Sequence, residues 1–141
     1  MQLNYLNKPH FENGAIKSIS QVLEEHGIKN PLICTDPGLA NIGMSDMIRN
    51  LLSNELSPSF YEDTPANPTE QAVNDALEIY KQNGCDGVVG FGGGSSMDLA
   101  KTVALMANHE GNVVDYSVNE GGVGKINQTM PMIAIPTTSG T

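Results

Sequence analysis

The sequence has few aromatic residues (four tyrosines, three phenylalanines, no tryptophan), two cysteines, and seven Lys plus Arg against sixteen Asp plus Glu. Each scarcity excludes something. A nucleic-acid partner needs clustered cations to displace phosphate counterions, and no Lys/Arg cluster exists here. The acids behind the net charge of −9 are spread along the chain, as on a solvated surface rather than an acidic tail. Cys34 and Cys85 lie in or beside apolar runs, which suits small buried thiols in a reducing, cytoplasmic setting better than a disulfide. His10, His26 and His109 are far apart and form no H-x3-H or HExxH pattern, so metal binding is not expected of this chain by itself. No apolar stretch approaches the ~18 residues that span a bilayer, and the polar stretch Met1 to Phe11 does not read as a signal peptide.

What is present is a chain of 141 residues with 39% hydrophobic content, enough for one domain with a real core. Helical and extended patterns alternate along it. Ile16, Ile19, Val22 and Leu23 recur at helical spacing and run out at Gly27, a helix C-cap. Pro31 introduces an apolar strand-type run, Leu32 to Asp36. Ile42, Met47, Ile48, Leu51 and Leu52 predict a second helix, followed by a weak extended segment at Phe60-Tyr61. Asn67-Pro68-Thr69-Glu70 is expected to open a third helix, with Asn67 as cap, Pro68 in its first turn and Glu70 as capping-box acid. That helix buries Val73, Ala76, Leu77 and Tyr80 and stops at Gly84.

A strand, Gly87 to Phe91, then feeds into Gly92-Gly93-Gly94-Ser95-Ser96 and a helix with Met97, Ala100, Val103, Ala104 and Ala107 on one face. The Gly/Asn-rich stretch from Asn108 to Gln128 reads as a surface connection, and Pro131 to Ile135 as a last strand ended by Pro136. Short apolar strands alternating with helices imply βαβ units, hence an α/β, Rossmann-like, mainly parallel sheet with flanking helices. Ligands of such sheets bind beyond the carboxyl ends of the strands. Here that edge comprises Asp36, the loop from Gly92 to Ser96, and Thr137 to Thr141.

The glycine turn carries the strongest signal. Three glycines between strand and helix remove side chains where backbone must approach something, and the first helical N–H groups form a ready phosphate site. Ser95 is expected to cap that helix, with Asp98 at capping-box spacing. The plain alternative is a tight turn. Standard fingerprints match imperfectly: the last Gly of G-x-G-x-x-G is absent, and Ala100 precedes Lys101 where a Walker-A loop needs Gly. Asp36, at a strand end, is placed either to accept from a ribose 2′-OH, favouring NAD over NADP, or to cap the turn before Pro37-Gly38. The hydroxyls of Thr137, Thr138, Ser139 and Thr141 suit a sugar or phosphate ligand and are equally ordinary loop composition. Lys101 reads as a solvated helix residue and the scattered methionines as core filler.

The run Gly92 to Lys101 resembles the GGGSxxDxAK signature of iron-containing (group III) alcohol dehydrogenases. Gly14-Ala15, Pro65-Ala66-Asn67-Pro68-Thr69 and Pro136 to Thr141 agree in order and spacing, so the resemblance spans nearly the whole chain. Glu12 departs from a Gly common there. The resemblance implies a two-domain, metal-dependent enzyme that passes hydride from an alcohol to NAD. Residues 1–141 would be its dinucleotide-binding domain, incomplete and truncated before the helical metal domain, with every metal ligand beyond Thr141 and some sheet edge left open.

Carried over by position, Asp36 would hold the adenosine ribose, Asn67 would lie near the cofactor, and Gly93, Gly94 and Ser95 would cradle the pyrophosphate. Asp98 would sit toward the nicotinamide, and Thr137, Thr138 and Thr141 would contact the cofactor. No catalytic and no metal-binding residue is assigned within the chain. Expected partners are NAD(H) and, in the intact enzyme, iron or zinc and a small alcohol or aldehyde, with a homodimer among the assemblies allowed. A stand-alone, non-catalytic nucleotide-binding module is the alternative. Glycerol- and dehydroquinate-type relatives share the fold, but Pro136 to Thr141 favours the alcohol dehydrogenase branch.

Overall fold

In the computed structural model the described residues are 7–139. Thr141, one of the residues assigned to the cofactor by resemblance, lies outside them. Four strands, β1 (Pro31–Cys34), β2 (Ser59–Tyr61), β3 (Gly87–Gly92) and β4 (Met132–Pro136), form a wholly parallel sheet in the order β2-β1-β3-β4. Five α-helices connect or precede them: α1 (Ile19–Glu25), α2 (Pro37–Asn41), α3 (Met44–Leu51), α4 (Glu70–Gln82) and α5 (Gly94–Met106). The described residues thus form a Rossmann-like α/β unit.

Alternation along the strands divides the core between the two sheet faces. Leu32, Cys34 and Val88 point to one face and are covered by Val73, Ala76, Leu77 and Tyr80 of α4 with Leu99, Ala100 and Val103 of α5. Ile33, Val89 and Phe91 point to the other, covered by Ile19 and Leu23 of α1 and Ile48 of α3. Gly90 lets α5 approach closely, because a Cβ there would fall 3.0 Å from Ala100 Cβ and 3.2 Å from Met97 Cα. Both cysteines are buried free thiols, and burial beside Cys85 pushes the Cys34 thiol up to about 12.

Three local expectations change. The second predicted helix starts later than its apolar pattern: α3 begins at Met44 after Gly43, whose φ of +83° only glycine adopts cheaply, which leaves Ile42 exposed outside it, and the short α2 before it has no counterpart in that pattern. Helix α4 is capped by Thr69, whose Oγ1 accepts from Ala72 N at 3.1 Å, so Asn67 and Pro68 precede the helix. The 108–128 connection folds into two short 3-10 turns, Val113–Tyr116 and Gly122–Lys125, the first closed by a capping box of Asn112 and Asp115.

The amino edge of the sheet is tied by one carboxylate. Asp86 accepts from Lys29 N at 3.0 Å and from Asn30 N at 2.8 Å, joining the starts of β3 and β1. At the opposite edge, Thr35 N donates to Tyr61 O and Thr64 N to Thr35 O, folding the chain after β2 over the end of β1. From β1 the chain crosses to β2 on one side, then returns past β1 to β3 and β4 on the other. Connections therefore diverge between the carboxyl ends of β1 and β3, the position where open α/β sheets bind ligands.

Candidate cofactor-binding site

A cleft of about 350 Å³ opens at that divergence, lined by Asp36 and Pro37 after β1, Thr64, Pro65 and Ala66 after β2, and Gly93, Ser95 and Ser96 after β3. Gly92, the last residue of β3, has φ +146°, a backbone angle that L side chains rarely adopt. A Cβ on it would lie 2.7 Å from Ser96 Oγ and 3.2 Å from Asp36 Oδ2. Gly92 is thus demanded by the fold.

Gly94 is different. Its φ is ordinary, it begins α5, and a Cβ on it would meet no described atom within 4 Å. A Cβ on Gly93 would make only ordinary contact with Thr138 Cγ2, at 3.6 Å. Neither backbone angle nor packing explains these two glycines, and open space in front of a helix start is what a close-lying ligand needs.

The expected cap on α5 is absent. Gly93 is the N-cap, no side chain of the described residues caps the helix, and Ser95 lies inside the first turn with its hydroxyl donating to Ala66 O. The correction follows from the extra glycine: the helix begins one residue earlier than a Ser95 cap would allow. Its leading N–H groups, which carry the positive end of the helix dipole, are left without a side-chain acceptor. Asp98 does not close a capping box. It stands exposed one turn on, 3.4 Å from Lys101 Nζ.

Asp36 is a helix cap that also lines the cleft. Oδ1 accepts from Leu39 N at 3.0 Å and caps α2, while the side chain lines the cleft with Oδ2 turned toward Gly92. Thr137 extends the β3–β4 pairing through its N–H to Gly92 O at 2.9 Å, and Thr138 rests against Gly93. The fold therefore gathers Asp36, Gly93 and Ser95 around one cleft and brings Thr138 against its glycine wall. Asn67, Gly94 and Asp98 are exposed near it without lining it, and Thr137 lines a separate groove along β4. Thr64 and Ser96 line the cleft unannounced by any motif. Thr64 follows the extended segment at β2, and Ser96 sits in a variable-looking slot of the signature.

Among the described residues no three His, Cys, Asp or Glu side chains gather where they could hold a metal ion. The residues present do not fit the metal implied by the resemblance. They do fit a dinucleotide: an uncapped helix start, a side-chain-free wall and a half-buried carboxylate surround one opening.

An open parallel α/β sheet with a glycine-walled cleft at its divergence defines a nucleotide-binding class of protein. Residues 7–141 match the family model described as iron-containing alcohol dehydrogenase, and the chain belongs to that family, as its amino-terminal portion. It is 41% identical over 138 residues to a 4-hydroxybutyrate dehydrogenase of Cupriavidus necator, covering 97% of this chain and 36% of that protein. Against a choline dehydrogenase of Bacillus subtilis it is 38% identical over 129 residues, covering 91% of this chain and 32% of that one. Among solved structures, a sulfoacetaldehyde reductase from Bifidobacterium kashiwanohense in complex with NAD+ superposes with TM-score 0.79 at 29% identity, over 91% of this chain and 33% of the other. An NADH-dependent butanol dehydrogenase from Thermotoga maritima superposes with TM-score 0.80 at 28% identity, over 91% and 32%. The chain spans about a third of the length of the curated relatives it matches.

Proposed function

We propose that this chain supplies the NAD(H)-binding part of a metal-dependent dehydrogenase acting on a small primary alcohol or its aldehyde. The observation that carries the reading is Gly94, a glycine opening an uncapped helix beside the cleft that Asp36 lines, with no fold-based reason to lack a side chain. The names of the similar proteins, 4-hydroxybutyrate, choline and butanol dehydrogenases, share a primary alcohol as substrate, which supports that substrate class.

In this reading the leading N–H groups of α5 hold the pyrophosphate, and Gly93 and Gly94 admit it to hydrogen-bonding distance of backbone. Asp36 accepts from the adenosine ribose and repels a 2′-phosphate, which selects NAD over NADP. Ser95, bonded to Ala66 O, pins the 64–66 segment as the cleft's far wall. Thr138 packs on the glycine wall, while Asn67, Asp98 and Thr137 contact the cofactor as it leaves the cleft; the role that the resemblance gives Thr141 falls outside the described residues. NAD, when bound, supplies the hydride acceptor. Orientation and charge are this chain's contribution. The setting is cytoplasmic, which suits two free thiols, and no helix of the described residues is long and apolar enough to cross a membrane. With sixteen acids to seven bases, nucleic acid is no partner.

Titrating the chain with NADH and NADPH by fluorescence tests the reading: weak binding with preference for NADH is expected, and equal affinity for the two removes Asp36 from its role. Assayed alone with small primary alcohols and diols, with Fe2+ or Zn2+ added, the chain should not reduce NAD. Turnover above ~1 s⁻¹, the range of working enzymes, would refute that. The alternative, a stand-alone binding module, is separated by the coding sequence after Thr141, where a continuing frame bearing Asp and His ligands decides for the enzyme.

A further inference from the structure

The cleft has a feature that phosphate binding does not use. Two of its lining residues, Thr64 and Ser96, are buried (exposures of 2% and 1%), and their hydroxyl oxygens, Thr64 Oγ1 and Ser96 Oγ, lie beneath the cleft surface with no hydrogen-bond partner among the described residues. A buried hydroxyl left unpaired is costly, and such groups in native proteins are normally satisfied by something. They arrive from different elements, one from the loop after β2 and one from the first turn of α5, yet line one opening. Asp36 Oδ2 approaches Ser96 there, since a Cβ on Gly92 would lie 3.2 Å from Asp36 Oδ2 and 2.7 Å from Ser96 Oγ.

Resting on the nucleotide reading above, we infer that Thr64 and Ser96 are affinity- and specificity-determining residues that hydrogen-bond a vicinal diol, the sugar hydroxyls of the adenosine half. The chemistry selects this group. Each lining hydroxyl both donates and accepts, whereas Asp36 Oδ2 only accepts, its sister oxygen being committed to Leu39 N. An anion at this spot would face the carboxylate. An ammonium would pair with the carboxylate and leave the two hydroxyl protons unmet. A diol donates to the carboxylate and still offers oxygens to both hydroxyls. The phosphates then fall to the neighbouring start of α5, where the backbone donors are.

Removing a hydroxyl that has no partner among the described residues should not harm folding, and only ligand binding should change. Thr64→Val and Ser96→Ala are each expected to weaken NADH binding about fivefold, the worth of one hydrogen bond, while thermal melts stay unchanged or rise. Ser45→Ala is the comparator. It removes another buried unpartnered hydroxyl, one outside the cleft, and should leave NADH affinity as it was. Calorimetry with ADP and 2′,3′-dideoxy-ADP identifies the group bound. The parent should prefer ADP, and the double variant Thr64→Val/Ser96→Ala should keep only the smaller part of that preference that Asp36 supplies. Variants that bind NADH as the parent does overturn the inference, as does an ADP preference that the double variant leaves undiminished. So does lost binding that tracks a lowered melting temperature. A parent that shows the diol preference with ADP but does not bind NADH overturns the dinucleotide reading and leaves this one standing. A parent that binds neither overturns both.

Discussion

The two edges of the sheet are built from the same materials to opposite ends. At the amino edge, Asp86 gathers the backbone N–H groups of Lys29 and Asn30, and Asp86 N donates to Asn30 O at 3.1 Å. At the carboxyl edge, among the described residues, the buried hydroxyls of Thr64 and Ser96 have no partner, no side chain caps α5, and Gly94 faces open space. Leaving polar groups unpaired costs stability. Buried hydroxyls without a partner among the described residues occur elsewhere too, Tyr80 Oη and Ser53 Oγ among them, so it is their coincidence with an uncapped helix start and the open space at Gly94, rather than unmet bonding capacity alone, that sets the carboxyl edge apart.

The sharpest way to break that contrast is Gly94→Val. Its Cβ enters open space, so the melt should move little, whereas NADH affinity should fall at least a hundredfold, about 2.7 kcal/mol. Fluorescence titration beside a circular dichroism melt reads both. If Gly94→Val binds NADH as the parent does, the glycine run is only a turn.

Asp86→Ala should do the reverse. It leaves two backbone donors near Lys29 and Asn30 without their acceptor and is expected to cost about 2 kcal/mol, the worth of hydrogen bonds to a charged group. Urea unfolding measures this, and NADH affinity at a denaturant-free folded fraction should not change. A binding loss at constant stability would merge the two edges that the structure separates.

Asp36 carries a cap and a proposed selector in one side chain, and Asp36→Asn separates them. Asn keeps an oxygen for Leu39 N, so stability should hold. The NADH-over-NADPH ratio should shrink about tenfold, or 1.4 kcal/mol, by competition titration. An unchanged ratio would leave Asp36 a cap alone.

The smallest effect at neutral pH concerns the core between the edges. Cys34 is held protonated by burial and by Cys85, its thiol pushed from 9.0 up to about 12. The folded state therefore keeps its proton where the unfolded state loses it. Stability from this group is complete below pH 9 and falls as pH rises from about 9 toward about 12. A thiol reagent at pH 8 should label Cys34 only as fast as the chain opens. Rapid labelling of the native chain would show that the core at Cys34 is not closed.

Much of this was readable in one dimension. Apolar runs such as Gly87 to Phe91 and helical spacing such as Val73, Ala76, Leu77 and Tyr80 report burial, which local periodicity encodes, and the structure confirms both. Helix ends were harder. Asn67 and Thr69 are both competent caps, and Ser95 satisfies the sequence rule for one, but the choice depends on where neighbouring elements let the backbone turn. Gly43 starts α3 later than its apolar pattern for the same reason.

The sequence by itself determined an α/β unit with a parallel sheet, the glycine-walled loop at a strand end, and membership in the alcohol dehydrogenase family, because periodicity and a dense local signature are properties of neighbouring residues. Only the tertiary structure decided which residues share the cleft. Asp36, Thr64 and Ser96 stand on three different segments, and nothing local in Thr64 distinguishes it from an ordinary loop threonine. Strand order brings the ends of β1, β2 and β3 together, and only packing can bury a hydroxyl without giving it a partner.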